Sequence, residues 1–170
     1  MAGSRWIERV TDLPRTLLRE VRGLRRNEKL AVIGVAVIAV SLLLPWYGVP
    51  VSGDVVQTGL GAFDWATAAL MLAAAAALIL AMRIGGGYRL PRPLTEWGLL
   101  VAAGVWAAAI VGYRMVDRPE LDFEVIVRVN RDYSLRYGIF VALAGALLIV
   151  AAGVRARAQS AQRTARRAGG

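Results

Sequence analysis

The chain has 170 residues, of which 57% are hydrophobic, and it contains neither cysteine nor histidine. The absence of cysteine excludes disulfides, thiol catalysis and thiolate metal sites, and the absence of histidine removes the commonest general base and metal ligand. The net charge of +9 comes almost wholly from arginine, which supplies 20 of the 21 basic residues. In so apolar a chain, the distribution of this charge indicates how the protein is oriented across a membrane. Nucleic acid is not expected as a partner.

Residues 1–27 form the first predicted segment, a cytoplasmic amphipathic helix. Its apolar residues recur every three or four positions and share one face, whereas most of its arginines lie elsewhere. The apolar face consists of Trp6, Val10, Leu13, Leu17, Val21 and Leu24. The residues expected at a lipid surface are Trp6, Arg9, Arg15, Arg19, Arg22 and Arg25. The pattern favours a helix lying in the headgroups of an anionic leaflet, and the alternative is a helix packed on the protein's own loops.

Four apolar runs then define a membrane domain over residues 28–155. The spans are predicted at about 28–45, 64–83, 94–115 and 136–154, with outer loops at 46–63 and 116–135. The first run has no charged residue from Leu30 to Leu44, and Asn27 is its predicted N-cap. Runs of about 18 residues can cross a bilayer core as helices. The predicted fold class is therefore an all-α membrane protein, built as a bundle of four transmembrane helices.

The distribution of basic residues predicts which ends of the spans face the cytoplasm. Eight basic residues precede Leu30, three lie between the second and third spans, and five follow Val154, which leaves five for the other side. The positive-inside rule therefore places both termini in the cytoplasm. Residues 156–170 form a basic tail, which can continue the last helix before it frays, and Arg155 and Arg157 are expected to anchor the last span at anionic headgroups.

Both outer loops carry strand patterns. In the first, residues 47–51 and 55–60 flank the turn residues 52–54, which predicts a hairpin. In the second, apolar residues alternate with mostly polar ones over residues 121–130. Because an isolated hairpin is marginally stable, we expect one extracytoplasmic sheet of about three strands above the helix ends.

The residues expected to contact a partner lie at this outer boundary. They are Trp46, Tyr47, Phe63, Asp64, Trp65, Phe123, Val125 and Val127. Tryptophan and tyrosine concentrate where a membrane meets water. Trp46 and Tyr47 are therefore predicted to join the bundle to the sheet and to pack beside Phe63, Trp65 and Tyr137.

No span carries an ionisable residue near its middle, so neither a transport path nor a catalytic pair is predicted. Asp64 is expected to cap the second helix, with an outer binding site as the alternative. Arg114 is expected to extend towards the outer interface, and Glu96 to lie in the first turn of the third helix. Catalytic, cofactor-binding and metal-binding residues are predicted to be absent.

Small residues recur at four-residue intervals in three spans, which is typical of helices that approach closely. They are Ala69, Ala73, Ala77 and Ala81 in the second span, Gly104, Ala108 and Gly112 in the third, and Gly138, Ala142 and Ala146 in the fourth. These stripes do not distinguish packing within the chain from dimerisation. Trp106 is too large for such a face and is expected to point to lipid or to fill a gap between helices.

Two short motifs carry a resemblance to a known group of proteins. Residues 45–48 read PWYG, and residues 62–65 read AFDW after a short polar loop. In this the chain resembles uncharacterised small four-span membrane proteins of high-GC bacteria, over roughly residues 30–155. The resemblance implies the bacterial inner membrane and no activity. The layout is similar to claudin-like tetraspan proteins by analogy of architecture alone, since the claudin cysteines are absent.

The function favoured at this point is that of a non-enzymatic membrane protein, a structural or accessory subunit with a protein partner or a second copy. The alternative is a small transporter or a channel-forming oligomer. A transporter of this size would need a carboxylate within the membrane, and none is found in the spans.

Overall fold

The computed structural model describes residue 24 and residues 26–49, 55–61, 64–85, 95–117 and 134–168. The four helices within these ranges are α1 (Arg26–Leu43), α2 (Trp65–Gly85), α3 (Glu96–Val116) and α4 (Tyr137–Ala168). Their positions confirm the four predicted helical runs to within two residues, except at the end of α4. The predicted amphipathic segment, residues 1–27, lies outside the described residues apart from Leu24, which is buried, and residues 26–27, which begin α1.

Three of these helices are long and apolar enough to cross a membrane. The spans are Trp65–Ile84, Trp97–Val116 and Tyr137–Gln162. The prediction of four spans is therefore met in part, because α1 carries Arg26, Glu28 and Lys29 within its 18 residues. The charge-free part of α1, residues 30–43, covers only about 21 Å as a helix, against about 30 Å for a bilayer core.

The start of α1 differs from the prediction. Asn27 was expected to precede the helix as its N-cap, but α1 begins at Arg26. The side-chain amide of Asn27 donates instead to the Gln159 side chain on α4, at 2.9 Å. This hydrogen bond ties the beginning of α1 to the far part of α4.

The helices pack as a ring in which α4 contacts α1 and α3, and α2 contacts the same two helices. The α1–α4 contact is a crossing of two glycines. A Cβ on Gly34 would lie 2.7 Å from the Gly145 carbonyl oxygen, and a Cβ on Gly145 would lie 2.8 Å from the Gly34 carbonyl oxygen. No side chain fits in this space, so the two backbones touch directly.

The contact between α3 and α4 uses two more glycines. A Cβ on Gly104 would lie 2.7 Å from the backbone nitrogen of Val150, and one on Gly153 would lie 2.9 Å from that of Val101. The predicted stripe on α2 also turns inward, with Ala77 and Ala81 fully buried. Most of the small residues in the predicted stripes therefore serve packing within one chain, whereas a Cβ on Gly112 would meet nothing within 4 Å.

A small sheet covers one end of the helices, which we call the sheet end. Its strands are β1 (Pro45–Val49), β2 (Val55–Thr58) and β3 (Ser134–Leu135), in the order β2-β1-β3. Strand β1 runs antiparallel to both neighbours, and Tyr47 pairs with Leu135. The predicted hairpin is confirmed. The third strand is the two-residue β3, and the strand predicted over residues 121–129 lies outside the described residues.

Helix α4 continues far beyond its predicted end. Its 32 residues make a helix of about 48 Å, which exceeds the bilayer core by about 18 Å. The predicted basic tail is therefore a continuation of α4 as far as Ala168. Near the end of the apolar part, the Arg157 guanidinium lies over the Trp97 ring, 4.9 Å from its centroid, and Arg155 is exposed.

Candidate functional site at the sheet end

Trp46 holds the sheet against the helices. Its side chain is buried, and the indole nitrogen donates to the Ser41 carbonyl oxygen in the last turn of α1, at 2.7 Å. Gly59 and Gly138 leave room for the ring, because a Cβ on either would lie within 2.8 Å of it. The backbone nitrogen of Arg136 donates to the Trp46 carbonyl oxygen at 2.9 Å. Trp46 thus joins α1, the sheet and the start of α4.

Tyr47 is buried next to Trp46, although successive residues of a regular strand point to opposite faces. The cause is an irregularity in β1, where the register with β2 shifts between Pro45 and Tyr47. A bulge of this kind re-aims a side chain. The Tyr47 hydroxyl donates to the Arg114 carbonyl oxygen at 3.0 Å, which fixes β1 to the end of α3.

The burial of these two residues corrects the prediction that they offer a surface to membrane or partner. Trp46 and Tyr47 contact this chain itself, because the bulge turns both side chains inward. Their contacts include Ser41, Gly59, Gly138 and Arg114. Phe63, one of the aromatics expected beside them, lies outside the described residues.

Asp64 performs two tasks at the beginning of α2. One carboxylate oxygen accepts hydrogen bonds from the backbone nitrogens of Ala66 at 3.0 Å and Thr67 at 3.2 Å. The predicted N-cap is therefore confirmed. The same oxygen forms an ion pair with the Arg114 guanidinium, whose side chain is 4% exposed against 35% for Asp64.

The position of Arg114 corrects another prediction. An arginine near a span end was expected to extend to the interface, but this one points into the protein. It lies on the face of α3 that also buries Ala107 and Val111, seven and three residues earlier. A buried charge is tolerated where a counter-charge and hydrogen bonds compensate its lost hydration, and Asp64 supplies the counter-charge.

Two of the exposed aromatics at the sheet end, Trp65 and Tyr113, form a ledge. Their ring centroids are 5.4 Å apart at 49°, and they are 63% and 44% exposed. The Tyr113 hydroxyl donates to the Asp117 carboxylate, which orients the ring. Trp65 is thus the predicted partner residue that the structure leaves on the surface. Phe63, Phe123, Val125 and Val127 lie outside the described residues.

The polar contacts at the sheet end are structural. They join β1, α1, α2 and α3 through the side chains of Trp46, Tyr47, Asp64 and Arg114. Among the residues that the structure describes, no three acidic side chains come together in a way that could hold a metal ion. The chemistry of these residues therefore fixes the shape of the sheet end beneath the aromatic ledge.

Comparison with protein-family models, with curated proteins and with solved structures gave no match in any of the three. The geometry of the chain itself therefore carries the functional argument.

Trp46→Phe is expected to lower the free energy of unfolding by about 1 kcal/mol, because it keeps most of the ring but removes the hydrogen bond to Ser41. The measurement is a denaturant titration in mild detergent followed by circular dichroism. Trp106→Phe is the matched control, since Trp106 lies on the outside of α3 with 61% of its side chain exposed. Equal stability of the two variants would show that the indole hydrogen bond contributes nothing.

Proposed function

We propose that the chain is a non-enzymatic, four-pass membrane protein whose sheet end holds a protein partner on the outer side of the bacterial inner membrane. Both termini lie in the cytoplasm. The observation that carries the proposal is the exposed Trp65–Tyr113 ledge on a sheet end that is fixed to the helices by Tyr47, Asp64 and Arg114. A rigid surface with exposed aromatics suits recognition, because ordering it on binding costs little entropy.

The outward-facing residues of the helices support a membrane setting. Large apolar side chains are exposed along all four helices, whereas the interior is filled mostly by small ones. Examples are Val40 on α1, Leu72 on α2, Trp106 on α3 and Leu147 on α4. In water such an apolar surface would favour aggregation, whereas in a bilayer the same side chains contact the lipid tails.

The contacts of α1 with α4 support its role as the fourth span. At one end, Trp46, just after α1, accepts a hydrogen bond from the Arg136 backbone at the start of α4. At the other end, Asn27 donates to Gln159. Helix α1 therefore runs beside the whole apolar length of α4, and its charges lie at the level where α4 becomes polar.

Basic residues gather at that second end and support the proposed orientation. They include Arg26, Lys29, Arg83, Arg155 and Arg157. The sheet end balances its buried Arg114 with Asp64. An excess of arginine and lysine on one side is the usual mark of the cytoplasmic face, and it suits an anionic inner leaflet.

The orientation is tested by single cysteines, for which this cysteine-free chain gives no background. Ser134→Cys, which is exposed at the sheet end, is expected to react with a membrane-impermeant thiol reagent on intact spheroplasts. Arg26→Cys and Ala165→Cys are expected to react only after permeabilisation. Labelling of Arg26→Cys from outside would mean that α1 does not cross, and labelling of Ala165→Cys would reverse the whole topology.

The partner is tested by a photo-reactive amino acid placed at Trp65 in native membranes. A discrete protein adduct is expected there, and only lipid adducts are expected from the same probe at Trp106, which is as exposed but lies mid-helix. Lipid adducts alone at both positions would assign Trp65 to the aromatic belt of the membrane and remove the partner surface.

A further inference from the structure

The Trp65–Tyr113 ledge has a carboxylate at its edge. Asp117 directly follows α3 and is exposed, and its carboxylate accepts the hydrogen bond that the Tyr113 hydroxyl donates. Because the phenol is neutral, this contact leaves the carboxylate its full charge. The ledge therefore consists of two aromatic rings beside an anion, whereas an aromatic belt at a membrane surface requires the rings alone.

Among the described residues, the basic side chains of the sheet end are engaged away from Asp117. Arg114 forms its ion pair with Asp64, so these two charges neutralise each other. Arg136 lies against β1, where a Cβ on Gly48 would be 2.5 Å from the Arg136 Nε atom. In the part of the chain that the structure describes, the charge beside the two rings is thus negative.

The end of α3 adds to this negative potential. Tyr113 lies in the last turn of α3, and Asp117 is the C-cap. The carbonyl groups at the C-terminal end of a helix carry partial negative charge, which favours a cation there. The Tyr113 ring is affected as well, because donating a hydrogen bond to a carboxylate polarises the phenol and makes its ring face more negative.

The geometry of the two rings suits a cation. Their centroids are 5.4 Å apart and their planes are inclined by 49°. One cation can therefore lie within about 6 Å of both centroids, the distance at which ammonium and guanidinium groups are attracted to aromatic faces. Trp65 and Tyr113 are 63% and 44% exposed, so both rings are accessible from outside.

We propose that the ledge is a cation site, in which Trp65, Tyr113 and Asp117 bind a lysine or arginine side chain of the protein partner. The inference rests on the proposed function and specifies the chemistry of that partner. The rings attract the cation, and Asp117 supplies its counter-charge. An apolar partner surface would instead remove water from the Asp117 carboxylate without replacing it by a charge, which opposes binding.

The first test places a photo-reactive amino acid at Val116 in native membranes, because this residue is 86% exposed and lies three positions after Tyr113. Asp117→Asn, which keeps the shape of the side chain and removes its charge, is expected to lower the yield of the protein adduct by about fivefold or more. Trp65→Leu is expected to do the same. Tyr137→Leu removes another exposed aromatic, at the start of α4, and is expected to leave the yield unchanged.

The second test measures cation binding without the partner. The full chain in dodecyl maltoside, an uncharged detergent, is titrated with Nα-acetyl-lysine amide, and the indole N–H resonance of Trp65 is followed by NMR. A saturable shift is expected, and none with Nα-acetyl-norleucine amide, which lacks the ammonium group. Asp117→Asn is expected to weaken the binding by about fivefold or more. The substituted residue is exposed, so the circular dichroism spectrum should stay the same.

Three results overturn this proposal alone. A protein adduct at Val116 that keeps its full yield in Asp117→Asn would leave the partner but remove the cation. Equal shifts with the lysine and norleucine compounds would make the ledge an apolar surface. A shift on adding phosphatidylethanolamine that the lysine compound does not reverse would assign the site to a lipid headgroup. The absence of a protein adduct at both Trp65 and Val116 would instead remove the proposed function, and this inference with it.

Discussion

Asp64→Asn is expected to lower the free energy of unfolding by about 3 kcal/mol, because it removes the carboxylate that faces a buried guanidinium. Asparagine is a good N-cap, so the start of α2 keeps its hydrogen bonds and the loss reports the charge alone. Asp64→Ala adds the loss of the cap, for about 1 kcal/mol more. A denaturant titration in mild detergent, followed by circular dichroism, measures both.

Because Asp64 is more exposed than Arg114, replacing the arginine is expected to cost less stability than replacing the aspartate. Arg114→Met leaves behind a carboxylate that is 35% exposed and still caps α2, whereas Asp64→Asn removes the counter-charge of a side chain that is 4% exposed. We expect a loss of about 1 kcal/mol for Arg114→Met. The double variant should be more stable than Asp64→Asn by itself. If the double variant loses the sum of the two single losses in free energy of unfolding, the two side chains are not coupled.

Gly34→Ala and Gly145→Ala are each expected to destabilise the protein by about 2 kcal/mol, because the new Cβ would have to enter a backbone-to-backbone contact. The nearest atoms at both positions lie 2.7 and 2.8 Å away and include main-chain oxygen, which cannot rotate aside. The two positions touch each other, so the double variant should lose less than the sum.

Gly112→Ala is the matched control for the glycine variants. It lies in α3, also within a helix, and a Cβ there would meet nothing within 4 Å. Alanine has the higher helix propensity, so this variant should gain about 0.5 kcal/mol. Destabilisation equal to that of Gly34→Ala would mean that the loss comes from helix propensity or lipid contacts instead of the α1–α4 crossing.

The sequence predicted what depends on local chemistry. Runs of apolar residues located the four helices, the turn at residues 52–54 located the hairpin, and Asp64 before Trp65 located a helix cap that the structure confirms. Each of these features depends on residues close together in the chain. Helix propensity, turn formation and capping are all settled over such distances.

The errors concern features that depend on tertiary structure. The partner of Arg114 is 50 residues away, so the sequence offered only the general rule that arginines near span ends extend outward. The inward turn of Trp46 and Tyr47 depends on one extra residue in β1, which strand periodicity does not register. For α4, hydropathy marks only the end of the span at Val154, and the continuation of the helix that the sequence allowed follows from helix propensity in an alanine- and arginine-rich stretch.

The pairing of α1 with α4 has a consequence for synthesis. Helix α1 and the strand after it have their glycine contact, their pairing with β3 and the Asn27 hydrogen bond with elements that are made after α2 and α3. During translation, the face of α1 that packs on α4 therefore stays without these contacts until α4 has been made. A ribosome that stops before residue 137 would release a product lacking these contacts, which membrane proteases could remove. The packing of α1 is therefore completed only after α4 has been made.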